Sequence, residues 1–196
     1  MKDWFSIEKR KQRSLKDHGY DIVRSRDFIL QKAKIGKGSL LEIGTGKGHF
    51  TLALARRNFL FTAIDLDASA QKVARQYLRR YGLENMVAIR KMNAEKLSFS
   101  NQSFDIVISV NFMHHAQKPF LCLREMVRVA KKKIVIADIN QKGAQALDRF
   151  HANEGRQHPR SHVSLKEVRS FFQKSGFTVK TYKGYCQTVL VARKGE

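Results

Sequence analysis

The chain has 196 residues, 42% of them apolar, which suits one domain with a full core and excludes wholesale disorder. It carries 38 basic and 17 acidic side chains, a formal net charge of +21. That balance favours nucleic acid, an anionic membrane surface or acidic metabolites as partners, or else a solvated basic surface. No apolar run approaches the roughly 18 residues of a membrane span, and MKDWFSIEKRKQRS lacks the apolar core of a secretory signal.

Cations are spread along the chain, with local clusters only at Lys9–Arg10–Lys11–Arg13 and Lys131–Lys132–Lys133. A dedicated nucleic-acid tail is more concentrated than this. Cys122 and Cys186 show neither metal nor redox spacing, so both are expected to be buried in a reducing, cytoplasmic protein without stable membrane insertion.

Residues 1–20 are polar and basic, with Trp4 and Phe5 as an apolar pair; they read as a helix closing over the site or as a frayed end. Asp21 to Lys34 has amphipathic helical spacing, ended by Gly36 and Gly38. Ser39 to Ile43 reads as a buried strand, followed by Gly44, Gly46 and Gly48. Phe50, Ala53 and Leu54 then fall at helical spacing, and Leu60 to Ile64 is a second strand stopping at Asp65. Ala68 to Tyr81 predicts a helix with Val73, Ala74, Tyr77 and Leu78 inward, closed by Gly82.

Met86 to Ile89 and Ser103 to Ser109 read as the third and fourth strands, with Asn93-Ala94-Glu95 between them. A stripe of Phe120, Leu123, Val127 and Ala130 predicts the next helix, and Lys133 to Ile139 the fifth strand. Residues 141–163 read as a helix start and then a surface loop. Ser164 to Glu167 is a capping box with Val163 and Val168 as a hydrophobic staple. Leu165, Val168 and Phe172 form that helix's inner face before Gly176. Phe177 to Tyr182 and Cys186 to Ala192 flank Gly184; so short a link requires an antiparallel pair. The sum is seven strands and about six helices. This is one α/β domain, a doubly wound, Rossmann-like, mostly parallel sheet ending in an antiparallel hairpin. Residues 1–34 form an N-terminal helical segment over the site, and 35–196 the domain proper.

Strand, glycine turn, helix, strand and terminal acid describe a βαβ unit with a ligand site at its strand ends. Glycine permits positive φ and close backbone approach, and the helix beginning after it offers unpaired N–H groups. Asp65 lies 21 residues after Gly44, where an acid accepting from ribose hydroxyls sits. A nicotinamide fingerprint needs its third glycine at position 49, which is His49. Glu42-x-Gly44-x-Gly46-x-Gly48 instead resembles the first motif of class I S-adenosylmethionine-dependent methyltransferases.

The resemblance covers about residues 35–193 and extends to the ubiquinone/menaquinone-biosynthesis methyltransferase-like group. It rests on Asn93-Ala94-Glu95, Ser103-Phe104-Asp105, Phe112-Met113-His114-His115 and Glu125-Met126-Val127-Arg128-Val129. Asn93 stands for that group's usual Asp, and Lys131-Lys132-Lys133 for its Lys-Pro-Gly-Gly turn, altering that surface.

For S-adenosylmethionine the resemblance implies that Glu42 meets the ammonium, directly or through water. The loop Gly44, Thr45, Gly46 and Gly48 lies against the methionine part. Asp65 takes the ribose diol, Leu66 and Ala94 sandwich the adenine, Asn93 accepts from its amino group, and Asn111 lines the site. Each residue also has a plainer reading: Asp65 as a helix cap, Asn93 as a turn former. His114 and His115 follow the fourth strand; either one is a candidate base where the acceptor must lose a proton, or a packing residue. His151, Glu154, His158 and His162 have metal-compatible spacing but no fixed register across Pro159, and no metal is assigned.

The leading expectation is therefore methyl transfer to a small-molecule acceptor, acidic, aromatic or quinone-like, by a monomer or homodimer. One alternative is an RNA methyltransferase using the basic surface, although the fourth strand ends in Val-Asn-Phe-Met-His without the Asn/Asp-Pro-Pro-aromatic motif. The other is a non-catalytic S-adenosylmethionine-binding protein.

Overall fold

The computed structural model describes residues 4–152 and 163–195. Two helices come first, α1 (Trp4–Asp17) and α2 (Ile22–Ala33), then β1 (Leu40–Ile43), α3 (His49–Ala55), β2 (Phe61–Asp65), α4 (Ala68–Arg80) and β3 (Val87–Lys91). The second half contains β4 (Phe104–Val110), α5 (Pro119–Val129), β5 (Ala130–Ile139), α6 (Gln141–Ala152), α7 (Leu165–Lys174), β6 (Phe177–Lys183) and β7 (Gln187–Lys194). The seven strands form one sheet in the order β3-β2-β1-β4-β5-β7-β6. Within it β7 runs antiparallel to both β5 and β6, as the short link at Gly184 requires. The strand order reverses direction beside β1, between β2 and β4, and in such sheets the crevice at that switch point is where ligands bind.

Side chains alternate across the sheet with the period of two that a pleated strand imposes. Leu41, Ile43, Val107, Ile134 and Ile136 face α5 and α7, in a core with Leu123, Met126, Val168 and Phe172. Leu40, Ile106, Ile108, Val135 and Ala137 face the other way, onto Ile29, Leu54, Ala74 and Leu78 of α2, α3 and α4. A smaller cluster joins α1 to α6 through Leu15, Tyr20, Ala146 and Phe150.

Local signals set most of the element ends. Asp21 caps α2 by accepting from the Arg24 N–H. Ser164 and Glu167 complete the capping box of α7, with Val163 and Val168 both buried. Three expectations need correction. The described residues contain seven helices rather than about six. The buried face of α5 is Cys122, Leu123, Met126 and Val129; Phe120 is exposed and Ala130 already belongs to β5. An apolar stripe one residue out of phase still looked helical because α5 carries apolar residues on more than one side.

The third concerns the strand expected from Lys133: β5 begins at Ala130, so Lys131-Lys132-Lys133 all lie in it, Lys131 and Lys132 exposed and Lys133 buried. Lys133 is buried and its Nζ donates to the carbonyls of Ala33 (3.2 Å) and Lys34 (2.7 Å), closing the C-terminus of α2. Burial pushes its ammonium pKa down. Lys132 pairs with Asp105 at 2.8 Å. Two members of the cluster are thus committed to the fold.

Candidate active site

The glycine loop is held by backbone. The N–H groups of Gly44 and Thr45 both donate to the Ile64 carbonyl, at 2.9 and 3.0 Å, tying the end of β1 to the end of β2. Gly44 has φ +85°, and a Cβ there would stand 2.7 Å from that of Phe112. Gly48 has φ +81° and faces Ala74 of α4, where a Cβ would again come within 2.7 Å. The first glycine therefore lets the turn pass under Phe112, and the third lets α3 close on α4.

Asp65 completes the loop. Its Oδ2 accepts from the Gly46 N–H at 2.6 Å and its Oδ1 from the Asp67 N–H at 2.9 Å. The helix cap is a different residue: Asp67 accepts from the N–H groups of Ser69 and Ala70 at the start of α4. A carboxylate has about four lone-pair sites, so the two backbone bonds leave Asp65 able to accept from a ligand diol. Gln71 braces the same corner, its Nε2 donating to the carbonyls of Asp65 (3.1 Å) and Arg90 (2.6 Å).

Glu42 lies beneath the loop, 1% exposed, and accepts from Thr51 Oγ1 at 2.7 Å. Loss of water, and the nearby charge of Asp65, push its carboxyl up to about 8 even though the Thr51 hydroxyl favours the charged form. In the free protein it is neutral over most of the physiological range. Thr45 Oγ1 is buried in the loop and has no hydrogen-bond partner among the described residues.

Two cavities open at the strand ends. The first, about 190 Å³, is lined by Gly44, Asp65, Leu66, Asn93, Ala94 and Phe112, with His115 at its edge. Leu66 is 60% exposed although apolar, and Ala94 is buried. Asn93 uses its Oδ1 to accept from the Glu95 N–H at 2.9 Å, forming the turn expected of an Asn at that position.

The second cavity, about 220 Å³, lies under α1 and α6, with Lys11, Tyr20, Lys47, Asn111, Phe150 and, again, His115 on its walls. Each cavity alone is smaller than the roughly 300–1,000 Å³ of a typical ligand pocket; together they fall within it. Asn111 has φ +53° and its N–H donates to Ala137. Its side chain donates to Tyr20 Oη at 3.2 Å and accepts from Gln187 Nε2 at 3.0 Å. Gln187 donates to the same phenol oxygen at 2.5 Å. Burial pushes the Tyr20 phenol up to about 12, so it remains neutral.

The two histidines differ. His114 is buried, its Nδ1 2.5 Å from Asp138 Oδ1 and its N–H donating to Asp138 Oδ2 at 3.1 Å. His115 is exposed, borders both cavities, and lies with its ring 4.0 Å from that of His114.

The family defined as methyltransferase domain matches residues 41–137, which hold the glycine loop, Asp65, Asn93 and both histidines. The matched stretch is a methyltransferase domain. Over 140 residues it is 31% identical to the uncharacterized methyltransferase YcgJ of Bacillus subtilis, covering 68% of this chain and 54% of that protein. The solved structure of YcgJ superposes with a TM-score of 0.70 at 20% identity, over 88% of this chain and 98% of that one. A phosphatidylethanolamine N-methyltransferase of Cereibacter sphaeroides is 30% identical over 53% of this chain and 50% of its own length. A ubiquinone biosynthesis O-methyltransferase of Hahella chejuensis is 31% identical over 54% of this chain and 44% of its own. The chain spans about half the length of the curated relatives it matches.

Of the residues expected at the site, Gly44, Asp65, Leu66, Asn93 and Ala94 come together on the first cavity. Asn111 and His114 line the second, and Glu42 lies below the loop rather than on a wall. Gly48 faces α4 and not a cavity. Of the four residues with metal-compatible spacing, only His151 is among the described residues; Glu154, His158 and His162 lie outside them. Sequence reasoning missed Asp138, Tyr20 and Gln187, and read Phe112 only as part of its histidine motif. Only Asp138 gave a signal, a carboxylate at the end of an otherwise apolar strand, as at Asp65.

Proposed function

We propose that this protein transfers the methyl group of S-adenosylmethionine to a small-molecule acceptor. The first cavity would take the adenosine end and the second the acceptor. The observation that carries this reading is His115, which lines both cavities.

The residues suit the cofactor. Asp65 offers two oxygens to a ribose diol, and Leu66 and Ala94 offer apolar faces to adenine. The buried Thr45 hydroxyl has bonding capacity to spare for the methionine carboxylate or for water beside it. Glu42, with no cavity surface of its own, would reach the ammonium through water and lose its proton as that charge arrives. Asn93 keeps the turn that positions Ala94, and its amide, on the cavity wall, would face the adenine edge.

S-adenosylmethionine supplies a methyl carbon already activated by its sulfonium, so that carbon's bond to sulfur breaks as one to the acceptor heteroatom forms. Rate then comes chiefly from holding donor and acceptor in line. An acceptor O–H or N–H must shed its proton, and His115 is placed to take it at an imidazole nitrogen and pass it to solvent. Asp138 fixes the ring of His114, which in turn supports that of His115.

Purified protein, methyl-labelled S-adenosylmethionine and a cell extract separated into RNA, protein and small molecules test the proposal. Label in the small-molecule fraction is the expected result. Label in RNA that nuclease removes, or no cofactor binding by calorimetry, overturns it.

A further inference from the structure

We propose that the outer face of α2, together with the hairpin tip between β6 and β7, docks on an anionic bilayer surface. Two apolar side chains stand out from this face, Val23 at 57% and Tyr185 at 54% exposed. Cations flank them. Arg24 and Lys142 lie 5.5 and 5.4 Å from the centre of the Tyr185 ring, and Lys32 lies 5.6 and 5.7 Å from those of Phe28 and Tyr182. Three elements far apart in sequence thus bring one pattern together, apolar groups with ammonium or guanidinium groups beside them.

The hairpin tip is held in place. Gly184 packs on Phe28 so closely that a Cβ would come within 2.6 Å of the ring. Asn140 Nδ2 donates to the carbonyls of Gly184 and Tyr185 at 3.0 and 3.3 Å. Fixed backbone therefore presents the Tyr185 ring outward. Such a face suits the zone between lipid headgroups and acyl chains. Tyrosine is favoured there because its ring is apolar and its hydroxyl polar, while lysine and arginine lay their stems on apolar surface and keep their charge at the phosphates. Anionic lipid is the complementary surface. The net charge of +21 counts every acid in the chain, so the molecule as a whole is drawn to it however individual pairs form. The two described acids lining the groove between α1 and α2 are each paired, Asp21 with Lys16 at 3.5 Å and Asp27 with Arg57 at 3.2 Å. A nucleic acid would use the cations and leave Val23 in water, so a bilayer is the better match. Ile22 lines the second cavity and Val23 follows it, so a docked bilayer lies beside the end of the site proposed for the acceptor.

The test is co-sedimentation of the full chain with vesicles of phosphatidylcholine alone and of phosphatidylcholine mixed with phosphatidylglycerol. The anionic vesicles should bind about ten-fold more tightly than the neutral ones, and added salt should weaken that binding without abolishing it. Val23→Ser combined with Tyr185→Ser should cost about five-fold or more, and Arg24→Gln about five-fold. Lys72→Gln, an equal loss of charge at an exposed position of α4, should cost less than about two-fold. Thermal unfolding checks each variant, and either Arg24→Gln or the apolar pair decides alone if the other fails to fold. No preference for anionic vesicles, a loss in Lys72→Gln equal to that in Arg24→Gln, or unchanged binding in the apolar pair overturns the proposal. So does an affinity for polyuridylate that falls in these variants as much as vesicle binding does, since the face is then a nucleic-acid surface.

Discussion

The two cavities that share His115 are built in opposite ways. The first is made of backbone and short side chains from β1, β2 and the turn after β3, with acids at its base: Glu42 buried under the loop and Asp65 bonded to Gly46. The second is made of long side chains from α1, the glycine loop, the end of β4 and α6, and its described walls include Lys11, Lys47 and several histidines. A site held by backbone carries one ligand chemistry, because its hydrogen-bond geometry is fixed by the strands. A site walled by side chains from a helical layer can change its ligand by substitution without disturbing the sheet. Under the proposed function, the cofactor end is the part fixed by the sheet and the acceptor end the adaptable part.

The largest expected effect tests the acidic base of the first cavity. Glu42 has a carboxyl pushed up to about 8 in the fold, against an unfolded value near the ordinary 4.5. Between those values the unfolded chain has lost the proton that the folded chain keeps, so stability falls as pH rises. The loss is at most about 1.4 kcal/mol per pH unit, and about 4 kcal/mol across the window. Glu42→Gln removes this term. Urea denaturation at pH 5, 6.5 and 8 should show the variant gaining on the parent as pH rises; parallel curves would mean that Glu42 is ionised in the free protein.

Asp65→Ala comes next. It removes the acceptor for the Gly46 and Asp67 N–H groups as well as the proposed diol partner, so these charge-assisted bonds are lost together. S-adenosylmethionine affinity should fall about 100-fold or more by calorimetry, and an unchanged affinity would remove the ribose assignment. Across the boundary, His115→Ala should lower kcat about 100-fold and leave cofactor affinity intact. Asp138→Asn should lower kcat by less, since Asp138 acts through the position of His114, whose ring and N–H it holds. A normal rate in His115→Ala would make that residue a wall and not a base.

The first cavity was legible in the sequence because its parts are local. Glu42 to Asp65 spans one βαβ unit, and Asn93-Ala94 follows the next strand directly, so spacing alone places them. Even there the roles within the loop were not separable. Gly48 has the same spacing as Gly44 and Gly46, yet it serves the contact with Ala74, and a packing partner 26 residues away leaves no mark in a local pattern. The second cavity brings together Lys11, Tyr20, Asn111 and Phe150, which no periodicity connects. Lys131-Lys132-Lys133 failed for a related reason. Whether a lysine faces solvent or caps a distant helix depends on a carbonyl at Ala33, a hundred residues earlier.

Asn93 carries the smallest expected effect and sharpens the boundary between fold and ligand within the first cavity. Its Oδ1 already accepts from the Glu95 N–H, and it is exposed, so the turn alone explains an Asn there. If the turn is its main role, Asn93→Ala costs about 1 kcal/mol of stability and no more than about a five-fold loss of S-adenosylmethionine affinity through a less ordered Ala94. Asn93→Asp keeps the turn acceptor and should restore both. If the oxygen also receives the adenine amino group, Asn93→Asp instead binds S-adenosylmethionine more tightly than the parent, because a charged acceptor strengthens that bond. Comparing the two substitutions by calorimetry and urea denaturation separates the cases, since a turn acts on stability and affinity together, while a ligand contact acts on affinity alone.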